Sequence, residues 1–305
     1  MRRLHDDELA VDVDLVQRLV ADAFPALAGR ELVPVATSGS SNTMFRLGRD
    51  LVVRLPRQPG GGASITKEAR WLPYVAGRLP VAVPEVVGVG EPALGYPERW
   101  SVTSWLPGAV PRPPVSGAAS VRLARDLADL VAHLRAMVVP AGVATDASLS
   151  WYRGGPLAAL DADVRMSATA CAGLGLPLDL RAALRVWDLA VAAEETVEPS
   201  VGWYHGDLVA ENLLVDRAGR LSAVLDLGGL GVGDPTVDLV VAWEVLDAEG
   251  RAVFRRALDV DDATWTVSRG WAVLIGLVTF PYYGATMPQR CADRVAMVQA
   301  ATRGD

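Results

Sequence analysis

The sequence predicts an α+β chain in two parts, a small antiparallel β-sheet with one helix followed by a larger, mostly helical region. Short β-branched and apolar runs, separated by glycine-containing turns, cluster before about residue 105, and apolar stripes at helical spacing dominate after it. A proline-rich piece, Pro107 to Pro114, reads as the linker. The expected division is residues 1–105 and 106–305, with a ligand cleft between the two lobes.

The elements follow in order. Leu15, Val16, Leu19, Val20 and Phe24 repeat at helical spacing behind Asp14, a candidate cap, and Pro25 ends the run. Leu32 to Ala36, Thr43 to Leu47 and Leu51 to Leu55 read as three consecutive antiparallel strands, broken at Gly39 and at Gly48-Arg49-Asp50. After the flexible stretch Gln58 to Gly62, a helix is expected from about Ile65 to Ala76, then strands at Val86 to Val89 and Trp100 to Trp105. In the second part, Leu123, Leu127, Leu130, Val131, Leu134 and Met137 form one apolar stripe, and Leu180 to Ala193 and Trp265 to Val278 look similar.

Composition narrows the function. Of 305 residues, 51% are apolar and 21% charged, ample for real cores and incompatible with a disordered chain. The longest apolar stretch, Trp271 to Phe280, is far shorter than the roughly 18 residues of a membrane span. The opening residues turn acidic after two arginines and lack the pattern of a secretory signal, so a soluble, cytoplasmic protein is expected. Cys171 and Cys291 are far apart and suggest neither a disulfide framework nor a zinc site. The net charge is −7, and all of the negative excess lies after Trp105. That sign argues against a nucleic-acid partner and suits a cationic ligand on the second part.

The strongest chemical signal is His205-Gly206-Asp207-Leu208-Val209-Ala210-Glu211-Asn212, followed by a strand-like Leu213 to Val215, a turn at Asp216 to Arg220, and Val224-Leu225-Asp226-Leu227-Gly228. Phosphoryl transfer needs one carboxylate to orient the attacking hydroxyl and accept its proton, and oxygen ligands to hold magnesium. Asp207 suits the first role, and Asn212 and Asp226 the second. A short hairpin after Asn212 would bring Asp226 back to the same end as Asp207 and Asn212. A metal-dependent hydrolase built on His205 and Asp207 would draw on further histidines, and His5 and His133 lie in unrelated contexts.

The HGDxxxxN segment and the later Asp-x-Gly resemble the catalytic loop and metal-binding motif of aminoglycoside phosphotransferases, antibiotic kinases with a protein-kinase-like fold. Gly233-Asp234-Pro235-Thr236-Val237-Asp238-Leu239 is similar to the same family's GDPxxDL stretch. Leu227 stands where most relatives have Phe, a change of packing rather than of ligand chemistry. The resemblance implies a two-lobed kinase-like fold, ATP or GTP as phosphate donor, Mg2+ as cofactor, Asp207 as catalytic base, and Asn212 and Asp226 as metal ligands. His205, Asp234 and Asp238 are expected to brace the backbone.

In kinases a strand lysine paired with a helix glutamate grips the nucleotide phosphates. The only lysine here, Lys67, adjoins Glu68 on one helix, where neighbours point about 100° apart. Arg54 on the third strand is therefore the expected partner of Glu68, and arginine at this position resembles the branch that includes macrolide kinases. Ser38-Gly39-Ser40-Ser41-Asn42 occupies the place of a nucleotide-covering loop, with Ser40 and Asn42 as candidate contacts, and a plain hairpin turn explains the same residues. Ser104 lies in the segment that aligns with the interlobe hinge.

The expected acceptor is a hydroxyl-bearing small molecule, a cationic aminoglycoside-type antibiotic, with a macrolide or an amino alcohol as alternatives and a catalytically silent nucleotide-binding module as the rival of another class. Glu211, Glu244, Asp247, Glu249 and the acids of Asp259 to Asp262 are candidates for meeting ammonium groups, or are solvated helix faces. Trp271, Phe280, Tyr282 and Tyr283 are candidates for an apolar wall, or for a core helix.

Overall fold

Two aspartates compete to start the first helix, and the earlier one wins. In the computed structural model of the protein, which describes residues 4–35 and 39–304, α1 spans Val13–Ala23 and Asp12 is its N-cap. The Asp12 carboxylate accepts the Leu15 N–H at 2.8 Å, satisfying one of the donors a helix leaves open. Asp14 sits in the first turn, where its charge favours the positive end of the helix dipole.

The strands β1 (Leu32–Pro34), β2 (Asn42–Leu47), β3 (Leu51–Pro56), β4 (Val86–Gly90) and β5 (Trp100–Ser104) form one antiparallel sheet in the order β1-β2-β3-β5-β4. Ala36 and Ser38, at the expected end of the first strand and the start of the covering loop, lie outside the described residues. Every residue of the central β3 is buried, so both faces of the sheet are covered there. With side chains alternating along a strand, Leu51, Val53 and Leu55 join Val16, Leu19 and Val20 of α1 in one core with Phe45, Trp100 and Val102. Arg54 then points to the opposite face.

The helix on that face, α2 (Gly62–Ala76), begins three residues before the expected Ile65. Its start is capped from a distance, because the Glu98 carboxylate accepts the N–H groups of Gly60 at 2.7 Å and Gly62 at 2.8 Å. No local pattern around Gly62 announces a cap supplied from thirty-odd residues away. These elements belong to one compact unit, Met1–Arg78 with Ala82–Pro107, and Leu79–Val81 with Gly108–Asp305 forms the other.

The second unit is mostly helical: α3 (Gly117–Ala136), α4 (Asp161–Ala172), α5 (Leu180–Glu194), α6 (Val240–Val245), α7 (Ala248–Ala257), α8 (Asp262–Tyr283) and α9 (Pro288–Arg303). Two small antiparallel pairs are set among them, β6 (Gly202–Tyr204) with β9 (Gly231–Gly233), and β7 (Leu213–Val215) with β8 (Leu221–Val224). The core is built on α8, whose N-cap Asp261 accepts the Thr264 N–H at 2.7 Å and whose residues from Val267 to Phe280 are almost all buried. Trp271 and Phe280 therefore belong to the core, while Tyr282 is exposed. Two of the buried indoles find polar partners, Trp187 donating to Asp161 and Trp243 to Ser268, both at 2.8 Å. Among the described residues no helix is long and apolar enough to cross a membrane.

Candidate active site

Strand β6 ends at Tyr204, and the next three residues turn sharply. Gly206 has φ of 81°, and a Cβ there would stand 2.6 Å from the Gly229 carbonyl oxygen and 2.9 Å from the Trp151 ring. The turn accepts glycine and nothing larger. Its buried backbone donors are collected by Asp238, whose Oδ2 accepts the His205 N–H at 2.7 Å and whose Oδ1 accepts the Gly206 N–H at 2.8 Å. Burial pushes the Asp238 carboxyl above the usual carboxylate range, against the pull of His205, these two bonds and Arg135.

His205 ties the turn to the second motif. Its Nδ1 accepts the Asp207 N–H at 3.2 Å, so the ring proton sits on Nε2 and is donated to the Leu225 carbonyl at 2.9 Å. The hairpin of β7 and β8 closes the loop, with the Leu225 N–H donating to the Asn212 carbonyl at 2.8 Å. Asn212 Nδ2 donates to the Asp207 carbonyl at 2.8 Å and to Asp207 Oδ2 at 3.1 Å. Asp207 and Asn212 are thus brought together, and the chain delivers Asp226 one residue beyond the bond to His205.

Asp226 itself adopts a left-handed backbone, φ 55° and ψ 64°, which few residues other than glycine, asparagine and aspartate tolerate. With Nδ2 of Asn212 donating to Asp207, its Oδ1 would offer a neutral oxygen to a cation, and Asp226, across the β7–β8 hairpin, would offer a carboxylate. Two oxygen donors, one of them anionic, fit what Mg2+ takes from a protein when phosphate oxygens and water complete its shell.

Beside the Asp207 carboxylate stands a residue that sequence reasoning missed. Arg153, in the 3-10 turn Tyr152–Gly154, donates from Nη1 to Asp207 Oδ1 and, at 2.9 Å, to the Gly206 carbonyl. Its guanidinium lies 4.6 Å from the centroid of the Trp151 ring and accepts a further anchor by donating from Nε to the Tyr152 hydroxyl at 3.0 Å. Burial works to raise the Asp207 carboxyl, but the Arg153 charge and hydrogen bond, with the Arg294 charge behind them, hold it below the usual carboxylate range. Asp207 is an anion at neutral pH.

Residues 32–274 match the model of the APH family, described as the phosphotransferase enzyme family. This chain belongs to the phosphotransferase enzyme family. Solved structures agree on the fold. A wild-type aminoglycoside 2'-phosphotransferase-IIIa in complex with GDP has a TM-score of 0.67 at 18% identity, covering 96% of this chain and 99% of that one. The GDP and kanamycin complex of APH(2")-IIia has a TM-score of 0.66 at 18% identity, covering 95% and 99%. The apoenzyme of a macrolide 2'-phosphotransferase from Brachybacterium faecium has a TM-score of 0.61 at 23% identity, covering 96% and 99%. No curated protein sequence matches the chain. The α+β, two-lobed kinase-like fold stands on these likenesses and on the five-stranded sheet followed by a helical remainder.

The first unit of this phosphotransferase places the remaining candidates. Arg54 on β3 and Glu68 on α2 form a two-point buried ion pair, Nη1 to Oε2 and Nη2 to Oε1, the latter at 3.3 Å, with both side chains less than a tenth exposed. Asn42 is buried at the start of β2. Ser40 lends its carbonyl to His5 Nε2 at 2.8 Å, and Arg57 holds the neighbouring Gly39 and Ser41 carbonyls at 3.2 and 2.9 Å. The loop is pinned from behind through its carbonyls. The Ser104 hydroxyl accepts the Glu85 N–H at 2.9 Å, so it serves the edge of the sheet.

The acids of the second unit are largely committed. Glu244 is buried, pairs with Arg294 and accepts the Ala210 N–H at 2.8 Å. Glu211 pairs with Arg290 at 2.8 Å and Arg294 at 3.4 Å, and Arg290 lies 4.9 Å over the Tyr283 ring. Asp247 caps α7, Asp261 caps α8, and Asp262 pairs with Arg255. Arg153, Arg290 and Arg294 carried no motif. They come from a turn and a helix more than fifty residues from Asp207, in a chain whose cations are almost all arginine.

Proposed function

We propose that this phosphotransferase moves the γ-phosphoryl group of a magnesium-bound ATP or GTP to a hydroxyl of a small organic molecule of the antibiotic class, an aminoglycoside or a macrolide. The reading rests on one observation above all: Asp207, on a turn that only glycine can make, is locked to Asn212 by hydrogen bonds of 2.8 and 3.1 Å.

In this reading Asp207 accepts the proton of the acceptor hydroxyl as its oxygen bonds to the γ-phosphorus and the bond to the β-phosphate oxygen breaks. Each Asp207 oxygen has one partner from the protein and keeps a lone pair for that proton. Asn212 and Asp226 hold Mg2+, which when bound neutralises charge on the triphosphate. Arg54, kept in place by Glu68, meets the nucleotide phosphates, for which a guanidinium is well suited. Ser40, Asn42 and Ser104 line the nucleotide's path, with the Ser40 carbonyl held by His5 and both the hydroxyl and the N–H of Ser104 held at the sheet edge by Glu85.

The test is phosphorylation of a panel of aminoglycosides, macrolides and amino alcohols with ATP and with GTP, beside an Asp207→Ala control. Turnover of one class that the control abolishes is the expected result. Nucleotide binding without turnover of any acceptor would replace the enzyme with a binding module, and absence of nucleotide binding would sink the proposal.

A further inference from the structure

A loop that meets phosphate through its backbone N–H groups must keep its carbonyl oxygens turned away, because those oxygens repel the anion. In Gly39-Ser40-Ser41 all three carbonyls are held. Gly39 accepts from Arg57 Nε at 3.2 Å, Ser40 from His5 Nε2 at 2.8 Å and Ser41 from the Arg57 N–H at 2.9 Å. A trans peptide sets its C=O and N–H in opposite directions, so holding the carbonyls of Gly39 and Ser40 turns the N–H groups of Ser40 and Ser41 to the other side. Among the described residues neither of those N–H groups makes a hydrogen bond, and Ser41 is exposed.

The holders are themselves held from one stretch of chain. Arg57 follows β3, and its side chain, 4% exposed, pairs with Glu8, whose side chain is 8% exposed. The Leu9 N–H donates to the Arg57 carbonyl at 2.6 Å, Asp7 accepts from Gln58 at 2.8 Å, and Glu8 accepts the Leu4 N–H at 2.6 Å. Residues 4–9 thus lie as a strap along Arg57 and Gln58, and they carry His5 to Ser40. Burial works to raise the Glu8 carboxyl, but the bond from Leu4 and the Arg57 bond and charge hold it below its ordinary value. A buried ion pair adds little stability once its desolvation is counted, so its effect is sought in what it positions.

Resting on the phosphotransferase reading above, we propose that Arg57 and His5 are positioning residues for the donor nucleotide: backed by the strap of residues 4–9, they fix the carbonyls of Gly39, Ser40 and Ser41 so that the Ser40 and Ser41 N–H groups are already turned toward the nucleotide's phosphates. Neither side chain touches the nucleotide. A stretch of glycine and serines left to itself turns its peptides over freely, and a residue ordered only when the ligand arrives subtracts that cost from the affinity. The gain falls on the phosphates alone, because the nucleoside makes no demand on these N–H groups.

The experiment measures Kd by calorimetry on the full chain for ATP, GTP, adenosine and guanosine, in the wild type, His5→Phe, Arg57→Lys and the double variant Glu8→Leu with Arg57→Met. The KM of nucleotide and of acceptor and kcat are taken on the same samples. His5→Phe keeps a buried ring and loses the bond to Ser40; Arg57→Lys keeps the charge beside Glu8 and loses the Nε donor to Gly39. The double variant removes the ion pair whole, so that no lone charge is left buried. Each variant is expected to raise the Kd and KM of the favoured nucleotide about tenfold, the scale of one backbone residue left unordered. Nucleoside affinity, acceptor KM and kcat should stay within about twofold of the wild type, a split that general loosening of the fold would not produce. Nucleotide and nucleoside affinities that fall together, or that keep their wild-type values in variants with the wild-type melting temperature, overturn the proposal. A phosphate-dependent loss of affinity in a protein that transfers phosphate to no acceptor would uphold the positioning and overturn the phosphotransferase reading, so the two fail separately.

Discussion

An aspartate that takes a proton from an alcohol must be ionised beforehand and fixed in direction without having its oxygens used up. Asp207 meets the first condition through Arg153 and Arg294, and the second through single hydrogen bonds from Arg153 and Asn212 to different oxygens. The residue before it carries an equal constraint. Gly206→Ala puts a Cβ into the Gly229 carbonyl and the Trp151 ring at a backbone conformation already unfavourable for alanine. It is expected to cost roughly 2 kcal/mol or more in thermal or denaturant unfolding, with loss of activity beyond what the stability change explains. Unchanged stability would mean that the turn relaxes. At this scale the juxtaposition of Asp207 and Asn212 was legible because their segment is contiguous and its spacing is itself the signal. Arg153 was not, because the contact that matters joins it to Asp207 across more than fifty residues and its neighbours Trp151 and Tyr152 form no recognised motif.

At the scale of elements, helix starts and sheet faces carry the testable statements. The α7 cap Asp247 accepts the N–H groups of Gly250 at 2.9 Å and Gly117 at 2.6 Å, so one carboxylate fixes the starts of two helices. Burial works to raise its pKa, but these bonds, Ser120 and the Arg251 charge bring it below the usual carboxylate value. A carboxyl whose folded pKa is depressed contributes stability above its unfolded pKa and loses that contribution as pH falls through the folded one. Asp247→Asn is therefore expected to destabilise the protein by about 1 kcal/mol at neutral pH, and the difference from wild type should shrink on acidification below pH about 4. A difference that grew as the pH fell would contradict the assignment.

In the sheet, Glu68→Ala would remove the two-point carboxylate partner of the buried Arg54 charge and is expected to cost about 3–5 kcal/mol, measured by denaturant unfolding. The strands were legible from short β-branched runs between turns. The start of α2 was not, because its cap is supplied by Glu98 from a distant stretch, and α1 was placed two residues late because Asp12 and Asp14 are equally plausible caps until the Leu15 hydrogen bond chooses between them.

For the whole molecule, the α+β reading came from short β-branched and apolar runs between glycine-containing turns before Trp105 and apolar stripes at helical spacing after it. Net charge was a poorer guide. The excess of acids in the second part is real, but the acids nearest the catalytic loop are paired with arginines, and others cap helices. Charge summed along a sequence says little about a site whose acids are already held in ion pairs and helix caps.

The most direct test of the central claim is a single-turnover measurement of phosphoryl transfer by the wild type and Asp207→Asn, with nucleotide affinity measured on the same samples. If Asp207 is the base and other residues hold the nucleotide, the variant should keep its affinity within about twofold while transfer falls by roughly 10²–10⁴. Transfer at the wild-type rate, or a loss of nucleotide affinity that accounts for the whole effect, would contradict the role given to Asp207.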